Sequence, residues 1–270
     1  MPLMLRALKL AVLPYGVAFR ERRPGLVILV YHRVGGDTRS EIDLPVALFR
    51  RQMAYARRYY PITSLDSILN GSWALEQRSD VLAVTFDDGC LEVYEQAFPV
   101  LLAYQIPATI YLATSYVESQ RPFDFGGYAR SHHQPLPLTW SHVREMVDSG
   151  LITVGAHTHN HADLTRLAAD QVRNEVRRSR DLIEDRLGRT PIHFAYPWGR
   201  ATPVAKQIVG EAFATAAQGG CAKNPFGNLD PLELWRQPVQ QSDGFWLFRL
   251  RLKSYLDAEE YFRSAAARFR

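Results

Sequence analysis

Val81-Leu82-Ala83-Val84-Thr85-Phe86-Asp87-Asp88-Gly89 joins a short apolar run to two adjacent acids and a glycine. A run of this length and composition, closed by turn residues, predicts a buried strand that ends at the carboxylates. Further along, Leu151-Ile152-Thr153-Val154-Gly155-Ala156 repeats the pattern and leads into His157-Thr158-His159-Asn160-His161. Metal ligands must be held rigidly, and strand ends hold them better than loop tips do. Alone, Asp-Asp-Gly would be read as a turn and a single histidine as a hydrogen-bonded structural residue. Here three of the eight histidines fall within five residues, directly after a predicted strand. The four-residue spacing lets His157 and His161 converge on one ion, on one helical face or across a tight turn. Density and placement together favour a metal site.

Two neutral imidazoles and one carboxylate leave a divalent ion with open positions, which is the catalytic rather than the structural arrangement. Such an ion polarises a carbonyl and acidifies water, but a separate base must take the water's proton. At a strand end the chain turns, so one aspartate can bind metal while its neighbour stays free as base.

From about Val27 to about Val239 the sequence resembles the polysaccharide deacetylase family, whose catalytic unit is the NodB-homology domain. Thr85-Phe86-Asp87-Asp88-Gly89 resembles the first motif of that family, which implies that Asp87 is the catalytic base and Asp88 a metal ligand. Gly155-Ala156-His157-Thr158-His159-Asn160-His161 is similar to the second motif, with His157 and His161 as the implied remaining ligands and His159 outside the set. Phe194-Ala195-Tyr196-Pro197-Trp198-Gly199 aligns with the third, an Arg-x-Pro-aromatic motif beside the substrate. There the backbone amide of the aromatic residue helps to hold the oxyanion, a role the resemblance gives to Trp198; preorganised donors of this kind carry much of such rate enhancements. Leu29-Val30-Tyr31-His32-Arg33-Val34 is similar to the opening strand of a branch acting on exopolysaccharides and related glycans.

The chain departs from the family pattern twice. Ala195 stands where the third motif has arginine, so a group elsewhere must steady Asp87. No histidine follows His193, so the late Leu-x-His motif, source of the usual general acid, has no match. His32, at the end of the first predicted strand, is the candidate replacement; the competing role is a structural hydrogen bond.

A chain of 270 residues, 47% hydrophobic and 22% charged, can bury one large core. Strand-like runs near 27–31, 81–86, 106–112, 151–156 and 192–196 alternate with helical patterns, predicting a single-domain α/β fold, a distorted (β/α) barrel of the NodB-homology type. The strongest helix is expected at about 169–187, with Val172, Val176, Leu182, Ile183 and Leu187 as its apolar stripe and Gly188 as its stop. The expected division is an amino-terminal amphipathic segment (1–25), a catalytic domain (26–242) and a carboxyl-terminal helical extension (243–270). Residues 116–138, with Phe123, Phe125, Tyr128, His132 and His133, form a long connection expected either to cover a sugar or to pack on the barrel. Two cysteines, Cys90 and Cys221, do not make a disulfide framework. A net charge of +4 without a basic, aromatic-interleaved cluster argues against nucleic acid. The first 25 residues lack a clear cleavage site, and Pro14 and several charges interrupt the apolar run. The expected location is therefore cytoplasmic, with peripheral contact to the inner membrane face through an amphipathic helix.

The expected activity is metal-dependent removal of N-acetyl groups from amino sugars of a glycan or lipid-linked saccharide. Zinc is the first choice of ion, with cobalt, nickel or manganese compatible with mixed nitrogen and oxygen ligands. The alternatives are a deformylase or other deacylase acting on a lipid-linked amino sugar, and a catalytically weak glycan-binding member of a polysaccharide assembly complex.

Overall fold

A computed structural model of the protein describes residues 2–36, 38, 40–69, 78–130, 134–259 and 262. Its strands are β1 (Gly25–Tyr31), β2 (Arg33–Val34), β3 (Asp43–Leu44), β4 (Val81–Phe86), β5 (Ala108–Leu112), β6 (Ile152–Ala156), β7 (His193–Ala195), β8 (Thr215–Gln218), β9 (Asn224–Pro225) and β10 (Leu234–Pro238). Seven of them run parallel in the order β1-β4-β5-β6-β7-β8-β10, and β10 returns to β1 with Ile28 opposite Arg236. The sheet is thus a closed (β/α) barrel, as predicted. Its helices are α1 (Pro2–Phe19), α2 (Val46–Tyr59), α3 (Leu65–Leu69), α4 (Phe98–Tyr104), α5 (Thr114–Ser119), α6 (Trp140–Asp148), α7 (Ala169–Leu187), α8 (Pro203–Gly210) and α9 (Gly244–Arg251). The predicted runs supply five of the barrel strands. β8 and β10 carry weaker signals: Thr215-Ala216-Ala217-Gln218 is short and alanine-rich, and Leu234-Trp235-Arg236-Gln237-Pro238 buries an arginine and a glutamine.

Strand alternation splits the apolar side chains into two cores. Val27, Leu29, Tyr31, Leu82, Val84 and Phe86 belong to the larger core, between the barrel wall and the surrounding helices. Leu26, Ile28, Ala83, Tyr111, Ala195 and Leu234 fill the barrel itself, with Leu65 and Ile68 of α3 packed against them. The period of two therefore aims Arg236, two residues beyond Leu234, into the barrel, and Asp87 follows the inward set of β4. Gly155 is required beside this core, because a Cβ there would lie 2.5 Å from the Tyr111 ring.

Helix α7 matches the predicted span and stops at Gly188, which adopts φ +66. Its buried face is Val172, Glu175, Val176, Ser179 and Ile183, whereas Leu182 and Leu187 are only half-buried. The buried glutamate matters for the site.

The two ends of the chain are joined. Lys9 of α1 is fully buried and donates to Asp243 Oδ1 at 2.7 Å and Ser242 Oγ at 2.8 Å. Arg251 of α9 donates to the same Asp243 Oδ1 (2.9 Å) and to Glu259 Oε2 (2.7 Å), giving two buried cations two buried acids. Such clusters persist only when each charge is paired, since an isolated buried ion is very unfavourable. A Cβ at Gly16 would fall 2.0 Å from the Tyr255 carbonyl oxygen, so α1 and the following carboxyl-terminal residues touch backbone to helix. On its outer face α1 exposes Leu10, Val17 and Phe19. No helix among the described residues is long and apolar enough to cross a membrane.

Next to this cluster, burial pushes the Asp257 carboxyl up to about 6, although Gln237 donates to its Oδ1 at 2.6 Å. A carboxyl raised on folding contributes stability that is complete below its unfolded value and lost as pH rises through the folded value. Asp257→Asn keeps the acceptor and removes the charge, so its stability gain over the parent should grow from near zero at pH 4 to about 3 kcal/mol at most above pH 6. Calorimetric melting of both proteins from pH 4 to 7.5 measures this; a gain as large at pH 4 as above pH 6 would place its origin elsewhere.

Candidate metal centre

The two predicted strand ends meet. β4 ends at Phe86, and the next residue, Asp87, donates its backbone N–H to the Tyr31 carbonyl at 3.0 Å. Asp88 and Gly89 then both take positive φ (72 and 87), which reverses the chain within two residues. A Cβ at Gly89 would lie 2.7 Å from Leu112 Cδ2, so glycine lets this turn wedge against the end of β5. After β6, His157 bonds backbone N–H to Leu112 carbonyl (2.9 Å), and Thr158 and His161 adopt φ of 61 and 54. His157 and His161 thus converge across a tight turn rather than on a helical face. Trp198 has φ 61 as well, so four of the seven non-glycine residues described with positive φ bound this one site. Left-handed backbone is unfavourable for side-chain-bearing residues, most of all for β-branched Thr158, and it gathers where function over-determines the chain.

Asp88, His157 and His161 offer ligand atoms that all lie within 4.8 Å of one another, and all three residues are buried. Asp88 Oδ1 stands 3.6 Å from His157 Nε2 and 3.4 Å from His161 Nε2, yet this buried oxygen has no hydrogen-bond partner. A bare carboxylate oxygen facing two ring nitrogens is what a bound cation would satisfy. His157 Nδ1 lies 2.8 Å from the Ala195 carbonyl, which assigns the proton to Nδ1 and leaves the Nε2 lone pair toward Asp88. Burial pushes His161 well below the usual histidine value, keeping it neutral and able to ligate. Burial raises the Asp88 carboxyl. The residues present therefore fit a divalent ion held by one oxygen and two nitrogens.

The ligands are braced from outside. Tyr128 donates to Asp88 Oδ2 at 2.9 Å. Phe125 stacks on the His161 ring at 3.7 Å and 5°, while Trp198 meets it edge-on at 5.1 Å. Residues 116–130 are thus a wall of the site as well as barrel cover, with Phe123 and Tyr128 buried; His132 and His133 lie outside the described residues. Glu175 accepts both the backbone N–H and the side-chain amide of Asn160 (2.8 and 2.6 Å), so α7 pins the loop between the two histidines. His159 turns to Thr114, with Nδ1 3.0 Å from its Oγ1. Cys90 is buried, packed near Tyr128.

Asp87 lies beside this cluster, its Oδ2 3.9 Å from His157 Nε2. Arg236 donates to both of its oxygens, Nη1 to Oδ1 at 2.6 Å and Nη2 to Oδ2 at 2.8 Å. Burial alone would raise this carboxyl, but the Arg236 guanidinium holds it well below the ordinary range. Arginine is thus supplied by β10 in place of the residue expected at 195, where small Ala195 joins the barrel core. His32 and Trp198 both open onto the same cavity of about 730 Å³, together with Asp87, Asp88, His157 and His161. All six predicted site residues are therefore gathered in one place. Arg236, Glu175 and Tyr128 are the additions that sequence reasoning lacked.

The family model for polysaccharide deacetylases matches residues 74–217, more than half of the chain. The chain belongs to the polysaccharide deacetylase family. It is accordingly a hydrolase of the polysaccharide deacetylase type, acting on carbon–nitrogen amide bonds. It is 25% identical over 212 residues to YxkH of Bacillus subtilis (strain 168), a protein provisionally named a polysaccharide deacetylase; the match covers 77% of this chain and 70% of YxkH. It is 28% identical over 144 residues to the poly-beta-1,6-N-acetyl-D-glucosamine N-deacetylase of Escherichia coli (strain K12), covering 50% of this chain and only 21% of that protein. The structure superposes on IcaB from Ammonifex degensii with a TM-score of 0.70 and 24% identity, over 85% of this chain and 97% of the other. Streptococcus pyogenes deacetylase PplD, solved in complex with acetate, gives a TM-score of 0.71 at 22% identity, over 86% and 99%. At these identities the likeness establishes the shared barrel. Within this deacetylase family match, the ligand cluster is included, whereas His32 and Arg236 fall outside it.

Proposed function

We propose that this chain removes N-acetyl groups from amino sugars of a glycan or glycolipid precursor, with Asp88, His157 and His161 holding one divalent ion. The observation that carries the reading is the pairing of an unpartnered ligand oxygen on Asp88 with a neighbouring carboxylate, Asp87, kept out of the ligand set and ionised by Arg236. A pure binding module has no use for that second acid. Zinc is the first choice for a site with two imidazoles and one carboxylate, and cobalt, nickel or manganese suit the same donors. A divalent ion held there would supply the Lewis acid that polarises the acyl carbonyl and acidifies the attacking water, which lets a carboxylate as weakly basic as Asp87 serve as base. Asp87 takes the water's proton, and Arg236 keeps its two oxygens aimed at the cavity. The backbone amide of Trp198 is the proposed donor to the developing oxyanion. His32 is the proposed acid for the departing amine.

Incubating metal-replete protein with N-acetylglucosamine oligomers and, separately, their N-formyl counterparts tests the reaction by identifying the acid released. Acetate release at a rate well above that of formate supports the reading; formate alone would favour a deformylase, and neither acid would refute it.

His32 lines the cavity together with Asp87 and Asp88. As the acid, its replacement in His32→Ala should slow turnover while leaving metal content unchanged, and the alkaline limb of the pH–rate profile should disappear. An unchanged bell-shaped profile with a lowered melting temperature would reduce His32 to a strand brace.

A further inference from the structure

Two half-exposed indoles, Trp198 (48%) and Trp235 (41%), line the cavity of the ligand cluster. Trp198 sits at the cluster, against the His161 ring. Trp235 stands apart from it, on β10, and is unusually well fixed for an exposed aromatic residue. Its backbone N–H donates to Asn224 Oδ1 and its carbonyl accepts from Asn224 Nδ2, both at 2.8 Å. Its ring lies directly on Gly220, where a Cβ would come within 2.4 Å of the indole carbons. Between the two indoles the floor is bare backbone, because a Cβ on Gly199 would lie 2.5 Å from the Gly219 nitrogen. Beyond Trp235 the surface continues into a second cavity of about 630 Å³, which Trp235 also lines together with Asn228, Asp230 and Glu233. Lys206 holds both acids in place, at 2.7 Å from Asp230 and 3.2 Å from Glu233.

A rigid apolar plate bordered by amide and carboxylate acceptors matches one chemistry closely. A pyranose ring presents an apolar C–H face to an aromatic surface and a girdle of hydroxyls to polar neighbours. A fatty acyl chain would require a continuous apolar trough, and a polyanion would meet Asp230 and Glu233. We infer that Trp235 is the platform of a second carbohydrate subsite, which stacks a sugar residue of the glycan remote from the residue being deacylated and bonds its hydroxyls through Asn228, Asp230 and Glu233. The inference rests on the amino-sugar hydrolase reading above and deepens it, since a substrate spanning both cavities must contain several sugar residues.

The test compares kcat/KM for a hexamer and a dimer of N-acetylglucosamine in the parent, Trp235→Ala and Trp235→Phe. The parent should favour the hexamer. In Trp235→Ala that preference should shrink about tenfold, the loss typical of a truncated aromatic anchor, and Trp235→Phe should restore most of it. An unchanged preference in Trp235→Ala overturns the inference, and so does a parallel fall for both lengths, which marks a structural role. Asn228→Ala, outside the first cavity, should show the same direction with smaller size. Failure of the parent to release acetate from either length would instead sink the proposed reaction. The subsite is then judged by calorimetric binding of the hexamer, with about tenfold weaker affinity expected in Trp235→Ala and equal affinity contradicting it.

Discussion

Asp87→Asn should lower the rate of amide hydrolysis by about 10²- to 10⁴-fold, the span typical of a lost acid–base group, while the protein keeps its metal. Asparagine has nearly the same size and retains an oxygen that can accept one of the two Arg236 hydrogen bonds, so the cavity wall should survive. It lacks the carboxylate that takes the proton from water. Asp88 supplies the ligand oxygen, and its contacts to His157, His161 and Tyr128 do not pass through Asp87. Metal content by mass spectrometry and kcat on an N-acetylglucosamine oligomer, measured on the same preparation, separate the two roles. A rate within a few-fold of the parent would remove Asp87 from the mechanism, and loss of the ion would make it a ligand.

Arg236→Met should be the most destabilising single change at the site. Both partners are nearly inaccessible, with side chains 3% and 5% exposed, and the guanidinium covers both oxygens of Asp87. Removing one member of such a pair leaves a buried charge unmatched, at about 3–5 kcal/mol, a large share of a domain's stability. The sign with pH follows from the lowered Asp87 carboxyl. A carboxyl depressed on folding contributes stability above its unfolded value and loses it as pH falls through the folded one. In the methionine variant burial is unopposed and Asp87 protonates more readily, so the stability deficit of the metal-free protein should be greatest near pH 7 and narrow toward pH 4. Arg236→Lys keeps a positive charge but not the two-pronged donor, and should recover stability better than turnover. Equal stability of Arg236→Met and parent at neutral pH would show that the pair is not what holds Asp87.

What was legible in the sequence is what apolar runs and local motifs encode. The strands before Asp87 and His157 declare themselves through composition, and their final residues fall where parallel strands place catalytic groups. Asp88, His157 and His161 are each within reach of a short motif, so their convergence follows once both strands share a barrel. Arg236 is different. It belongs to a strand whose polar content conceals it, and its partner lies 149 residues earlier. Its only sequence signal is negative: Ala195 leaves Asp87 without a cation, and some buried arginine had to supply one. Glu175 left a better trace, since it sits among Val172, Val176 and Ile183 on the buried stripe of α7, where an unpaired acid is unfavourable. Tyr128 lay in a segment whose aromatics admitted either cover or lid. Only the three-dimensional arrangement reveals that its hydroxyl reaches the ligand carboxylate. The left-handed backbone at Asp88, Thr158, His161 and Trp198 was equally hidden, because none of these residue types signals it as glycine does.

The most direct test strips the protein with a chelator, then titrates zinc while following bound metal and acetate release together. The expected result is no turnover in the stripped protein, recovery that saturates at about one ion per chain, and neither binding nor recovery in a His157→Ala, His161→Ala double variant. Full activity in the chelator-treated protein, or an ion retained by the double variant, would contradict the assignment of Asp88, His157 and His161 as the metal centre of this hydrolase.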